Sequence, residues 1–70
     1  MFVKAKYIKN DAPCGRGYTF KAPDGTNVGD LMTDPRGSKL MVIDDPVDME
    51  WVRTYGDDKI VSLEKYQEEQ

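Results

Sequence analysis

Few side chains in this chain of 70 residues belong to the types that catalyse reactions. The chain contains no histidine, which is the commonest general base in enzymes, and a single cysteine, Cys14. Cys14 and Ser38 therefore lack the usual activating partner of a nucleophile. Arg16 could activate the Cys14 thiol, but an ordinary loop cysteine explains the same residues. We expect no catalytic site, and we expect that the protein is not an enzyme.

An acidic cluster, Asp44, Asp45 and Asp48, carries the oxygen ligands that calcium and magnesium prefer. Its spacing matches no calcium-binding loop, and the start of a capped helix explains the same residues more simply. The lone cysteine also excludes an internal disulfide and, without histidine, cannot build a zinc site. The sequence therefore predicts neither a metal site nor a cofactor.

Cationic and aromatic side chains near the N-terminus form a first candidate site. If residues 3–8 and 18–22 pair as a hairpin, the lysines of both strands share its outer face. Cations along a groove, with aromatic rings for stacking, suit sequence-tolerant binding of single-stranded nucleic acid. Solvent-facing lysines that protect a small sheet are the alternative explanation. The candidate nucleic-acid-binding residues are Lys4, Lys6, Arg16, Tyr18 and Lys21.

The charge distribution is uneven, although the formal net charge of the whole chain is −3. Five basic residues and one acidic residue give residues 1–21 a balance of +4, whereas five basic and twelve acidic residues give residues 22–70 a balance of −7. Such asymmetry can mark a basic binding face opposite an acidic one. It also arises on ordinary solvated surfaces.

A second candidate site lies in the apolar part of the segment that follows the acidic cluster. Met49, Trp51 and Tyr55 could form an adaptable patch that contacts another protein. Packing into the core is the alternative use of the same side chains.

The elements that must position these residues follow from periodicity and turn residues. Alternating apolar residues predict strands at 3–8, 18–22, 28–32, 39–44 and 59–63. Proline and glycine predict a long loop at 10–17 and tight turns at 23–25 and 34–37. Gly29 indicates a bulge or a close approach of two backbones. The strand at 39–44 is apolar on both faces, which predicts a central position.

Residues 45–56 fit two structures. As a helix they have Asp45 as N-cap, Pro46 in the first turn and Gly56 as terminator. Val47, Trp51 and Tyr55 then recur along an apolar face, with Val52 beside them. As a strand they would place an arginine on the apolar face. We favour a short helix or helical turn that covers the open end of a barrel.

The order of Tyr18-Thr19-Phe20-Lys21, Pro23-Asp24-Gly25, Val28-Gly29-Asp30-Leu31 and Lys39 to Ile43 resembles a known pattern. It is similar to the N-terminal DNA-binding domain of the primosomal replication-restart helicases and to short proteins of phages and mobile elements. The resemblance covers residues 16–44 and implies a small Src-homology-3-like or oligonucleotide-binding-like barrel. Residues 32–37 depart from the helicase pattern, so no functional residue is carried over.

Taken together, these features predict a mainly-β fold: a small five-stranded antiparallel barrel with one short helix or helical turn before the last strand. We expect one domain at residues 1–66 and a frayed tail at 67–70. No signal peptide or membrane span fits the sequence, and we expect a cytoplasmic protein. The predicted function is a non-enzymatic binding or adaptor module of phage or mobile-element origin that recognises a protein partner. The alternative is a barrel that binds single-stranded DNA or RNA.

Overall fold

The structure, a computed structural model that describes residues 1–67, contains one open antiparallel sheet of five strands. The strands are β1 (Phe2–Lys9), β2 (Ala12–Lys21), β3 (Leu31–Thr33), β4 (Lys39–Ile43) and β5 (Glu64–Lys65). A helix, α1 (Met49–Tyr55), and a 3-10 turn (Asp57–Lys59) precede the last strand. The mainly-β class, the five antiparallel strands and the short helix before the last strand are confirmed. Of the tail predicted to fray, residues 68–70 lie outside the described residues.

The central position of β4 is confirmed, because the strands lie in the order β2-β1-β4-β3-β5. Leu40 and Val42 are buried on one face of β4, and Met41 and Ile43 are half-buried on the other. The main hydrophobic cluster lies on the first of these faces. Its buried members are Val3, Ala5, Phe20, Ala22, Met32, Leu40, Val42 and Leu63, and Tyr7 packs against them.

The connection between β1 and β2 is not the predicted loop at 10–17. A two-residue turn, Asn10-Asp11, joins the strands, with φ angles of 54° and 62°. Short polar side chains tolerate this left-handed region, and two consecutive left-handed residues suit the twist of a tight hairpin. Residues 12–17 therefore belong to β2, and Pro13 is accommodated because β2 is an edge strand.

A bulge interrupts the pairing of β1 with β2. Ala5 pairs with Tyr18 and Tyr7 pairs with Cys14, so Lys6 alone faces the three residues 15–17. Gly17 allows this part of β2 to lie close to β4, because a Cβ atom there would lie 2.6 Å from the Cδ1 atom of Ile43. The bulge places Arg16 at the point where the hairpin bends.

The two predicted turns are confirmed, but the strand between them is shorter than predicted. Residues 27–30 form a further turn, and Gly29 has a φ of 91°. The backbone N–H of Gly29 donates to the carbonyl of Val42 at 2.8 Å, so the predicted close approach is confirmed. In the second predicted turn, the buried Asp34 carboxylate accepts hydrogen bonds from the amides of Arg36 and Ser38 at 3.0 and 2.8 Å.

The predicted strand at 59–63 is wrong in its bounds. Ile60 and Leu63 are buried, whereas Val61 and Ser62 between them are exposed. This spacing of three does not fit the alternation of a flat strand. The regular strand in this part of the chain is β5, which pairs with β3.

The helix is shorter than predicted and begins later. Its N-cap is Asp48 rather than Asp45, because the Asp48 carboxylate accepts from the amides of Glu50 and Trp51 at 3.1 Å each. Gly56 ends the helix as predicted. Of the face predicted to be apolar, Trp51 and Tyr55 are exposed and Val47 is half-buried, whereas Val52 is the buried residue of α1. No helix within residues 1–67 is long and apolar enough to cross a membrane.

Replacement of Met32 by alanine tests the position of the core. Met32 has no exposed surface, and truncation of such a side chain costs about 2–5 kcal/mol in the free energy of unfolding. We expect a large shift of the urea unfolding midpoint. Val28 is the matched control, because it is 60% exposed and Val28→Ala should change the free energy by about 0.5 kcal/mol or less. Equal midpoints for the two variants would contradict the burial of Met32 in the core.

Candidate binding groove

A groove of about 600 Å³ lies between β2 on one side and α1 with the following turn on the other. We call it the β2–α1 groove. Its first wall is formed by residues 16–20 together with Lys4, and its second wall by Asp48, Trp51, Tyr55 and residues 59–61.

Backbone pairing positions both walls. In the β1–β2 ladder, Lys4 is opposite Thr19, which places these two side chains on the same face of the hairpin. At the end of β2, the N–H of Lys21 donates to the carbonyl of Val61 at 2.9 Å. The N–H of Leu63 donates to the carbonyl of Lys21 at 2.8 Å. These bonds hold the second wall beside the first.

Three large aromatic side chains line the groove and remain partly exposed. Trp51 and Tyr55 are one helical turn apart and stack on each other, with ring centroids 4.8 Å apart and an interplanar angle of 12°. They are 44% and 47% exposed. Tyr18, which is 48% exposed, meets Tyr7 edge to face at a centroid distance of 6.3 Å. The groove therefore offers wide apolar surfaces that the fold itself leaves uncovered.

The segment that forms the second wall contains two buried aliphatic residues. Val52 of α1 is 2% exposed, and Ile60 is 6% exposed. Neither belongs to the main hydrophobic cluster. The second wall thus has a small apolar support of its own, and Val52 turns inward while its neighbour Trp51 stays at the surface.

The groove is locally positive on a protein whose net charge is negative. Lys4, Arg16 and Lys59 line it together with one acidic residue, Asp48. The ion pairs found among residues 1–67 join the N-terminal amine to Asp24 and Arg36 to Asp34, so they use none of the three groove cations. A negatively charged ligand would meet an attractive field here.

The two sites predicted from the sequence meet in this groove. Lys4, Arg16 and Tyr18 come from the first prediction, and Trp51 and Tyr55 come from the second. Three predicted residues do not line it.

Each of those three residues lies at a different place. Lys6 is paired with Met41 of β4, on the far side of β1 from β2. Lys21 is paired with Phe2, at the end of the hairpin. Met49 is exposed at the start of α1.

Sequence reasoning missed part of the groove as well. Lys59, Ile60 and Val61 line it, although the sequence predicted that they begin a strand. No local signal could have placed them here, because their position depends on the bonds between Lys21 and a segment about forty residues away in the chain.

The remaining residues with possible chemistry lie apart from the groove. Cys14 is exposed and pairs with Tyr7 near the hairpin end. Within residues 1–67, no group of three or more histidine, cysteine, aspartate or glutamate side chains could hold a metal ion. Comparison of the chain with protein-family models, curated proteins and solved structures gave no significant match. The resemblance over residues 16–44 stays a prediction.

Replacement of Val52 by alanine tests how the second wall is held. Loss of its buried methyl groups should lower the free energy of unfolding by about 2 kcal/mol. Thr54→Ala is the control, because Thr54 is exposed on the same helix and alanine favours a helix. Urea unfolding can be followed by the fluorescence of Trp51, the only tryptophan. Equal stability of the two variants would show that Val52 does not anchor α1.

Proposed function

We propose that the protein is a non-enzymatic binding module that recognises a protein partner through the β2–α1 groove. The observation that carries this proposal is the set of residues in one concavity: Trp51, Tyr55, Tyr18 and Arg16. Tryptophan, tyrosine and arginine are the residue types that dominate the binding energy of protein interfaces. A fold this small gains by burying large rings, so exposed rings at a groove support a binding role.

The size of the groove supports a particular way of binding. A standard protein–protein interface covers about 800 Å² on each partner. A concavity of about 600 Å³ instead falls within the range of about 300–1,000 Å³ that is typical of ligand sites. The partner would therefore insert a short segment of its chain rather than dock a broad surface.

The sheet is proposed to form a small barrel, as the resemblance implies. Support comes from the two edges of the sheet. β5 pairs with β3 at one edge, and the segment just before β5 bonds to Lys21 of β2 at the other. One stretch of chain thus contacts both edges. The resemblance over residues 16–44 also supports an origin in a phage or another mobile element, and the protein is proposed to act in the cytoplasm.

Binding of single-stranded nucleic acid is the second candidate function. It is favoured by the stacked pair Trp51–Tyr55 close to Lys4, Arg16 and Lys59, since bases stack on aromatic rings and phosphates need cations. The net charge of −3 and the presence of Asp48 in the groove favour the protein partner.

Selection from a library of random peptides displayed on phage tests the main proposal. We expect enriched peptides to bind the wild-type protein, and to bind a Trp51→Ala/Tyr55→Ala double variant about tenfold or more weakly. The matched control is Met49→Ala, which removes an equally exposed apolar side chain of α1 outside the groove. Its affinity should equal that of the wild type. The proposal fails if no peptide is enriched, or if the double variant binds as well as the wild type.

Titration with fluorescent single-stranded DNA at low salt tests the second function. We expect no binding at protein concentrations of tens of micromolar. Affinity that falls steeply with salt and is lost in a Lys4→Glu/Arg16→Glu double variant would favour the nucleic acid instead. Lys9→Glu is the control, since Lys9 is an exposed lysine of β1 outside the groove.

A further inference from the structure

We infer that the ligand of the β2–α1 groove is an extended acidic segment of a partner protein, which pairs as an added strand with the edge of β2 at Thr19. This inference rests on the proposed function of the groove and names the conformation and the charge of the ligand.

The direction of the Thr19 backbone groups follows from Lys21. The N–H of Lys21 donates to Val61 and its C=O accepts from Leu63, so both groups point away from β1. In an antiparallel pair, successive residues alternate between bonding the neighbouring strand and pointing away from it. Thr19 lies two residues before Lys21, so its N–H and C=O also point away from β1. Since β2 is an edge strand and residues 16–20 line the groove, these groups face the groove.

The Thr19 groups that face the groove have no hydrogen-bonding partner among residues 1–67. Outside the strand ladders, the backbone hydrogen bonds found among residues 1–67 include none to the N–H or C=O of Thr19. Unpaired groups at a sheet edge are a template for another strand. Added strands gain affinity from main-chain hydrogen bonds and specificity from alternate side chains.

The same edge of β2 is already paired two residues after Thr19, at Lys21. The bridge between Lys21 and Ser62 is parallel, so the chain's own segment pairs with β2 there. Before Val61 the chain runs through the 3-10 turn Asp57–Lys59, and the bridge has no continuation toward Thr19. The groove begins where the protein's own strand ends.

The cations and the exposed rings of the groove determine which ligand side chains are favoured. An added strand would direct alternate side chains to opposite faces. Lys4 shares its face of the hairpin with Thr19, and together with Arg16 it favours aspartate and glutamate in the set on that face. The stacked rings of Trp51 and Tyr55 line the same groove and favour aliphatic or aromatic residues in the other set. A nucleic acid lacks the peptide backbone that could complete this ladder.

A peptide of about eight residues that alternates glutamate with valine is the probe. Binding is measured by the fluorescence of Trp51, and hydrogen exchange of the Thr19 amide is measured by nuclear magnetic resonance. We expect binding, together with exchange of the Thr19 amide slowed about tenfold or more at saturation. A peptide that alternates lysine with valine should bind about tenfold or more weakly.

Backbone methylation separates strand pairing from side-chain contacts. Two further peptides carry N-methyl groups on all valines or on all glutamates, and each one blocks the donors along one edge of the extended peptide. At least one of the two should lose about tenfold or more in affinity. If both bind as the parent peptide does, or if the Thr19 amide exchanges at the same rate in the complex, strand pairing is refuted.

Variants of the protein give an independent measurement. Thr19→Pro removes the edge N–H, and proline is tolerated on edge strands when that group faces outward. We expect this variant to lose about tenfold or more in peptide affinity, while Met49→Ala, a change outside the groove, keeps the wild-type value. Circular dichroism checks that both variants fold. If Thr19→Pro does not fold, the methylated peptides and the exchange rate decide the question.

The outcomes distinguish this inference from the proposed function. Library peptides that need Trp51 and Tyr55 but tolerate backbone methylation would overturn strand pairing and leave the groove as a protein-binding site. Binding of the lysine peptide as tightly as the glutamate peptide would overturn the acidic ligand alone. If neither the library nor the alternating peptides yield a ligand, both the inference and the proposed function fail. Single-stranded DNA that competes with bound peptide would show that the groove is not selective for a peptide backbone.

Discussion

The backbone pairing of Lys21 with residues 61 and 63 is the interaction on which the rest of this structure depends. It joins the long N-terminal hairpin to the part of the chain that follows the helix. The buried apolar residues next to α1 and the 3-10 turn, Val52 and Ile60, both lie outside the main hydrophobic cluster. The groove exists because two segments that are far apart in the chain are held side by side. Both bonds are between backbone groups, so the geometry of the groove does not depend on the side chain of Lys21.

A protein of this size buries only about 60% of the surface that its unfolded chain exposes, so each large apolar side chain matters for stability. In this protein the core is built mainly from aliphatic residues and Phe20, whereas Trp51, Tyr55 and Tyr18 stay partly exposed. These large rings stay at the surface, although their burial would add to the stability of the fold. Exposed large apolar side chains that lie together are typical of interaction sites. Their exposure here agrees with the binding role proposed for the groove.

The sequence predicted those elements whose signals are local. The alternation around Leu40 and Val42 identified the central strand, and the turn at Asp34 was read from its proline and glycine. The Asn10-Asp11 turn was not predicted, because Pro13 and the two glycines that follow it indicated a longer loop. The helix start was misplaced because three aspartates compete as N-caps, and only the contacts of Asp48 decide among them. The joining of the two candidate sites could not be predicted, since it depends on long-range pairing between Lys21 and residues 61–63.

The short free edge of β2 limits self-association. A long uncovered strand edge would let copies of the protein pair with one another and aggregate. In β2, Pro13 lacks a donor near the hairpin turn, the bulge at residues 15–17 breaks the regular ladder, and the chain itself occupies Lys21. The free ladder is reduced to the surroundings of Thr19, which can take a short segment but is not the long, flat edge that aggregation requires. The bulge and the bridge at Lys21 bound this free edge on both sides. The features that limit self-association would therefore also fix the register of a bound strand.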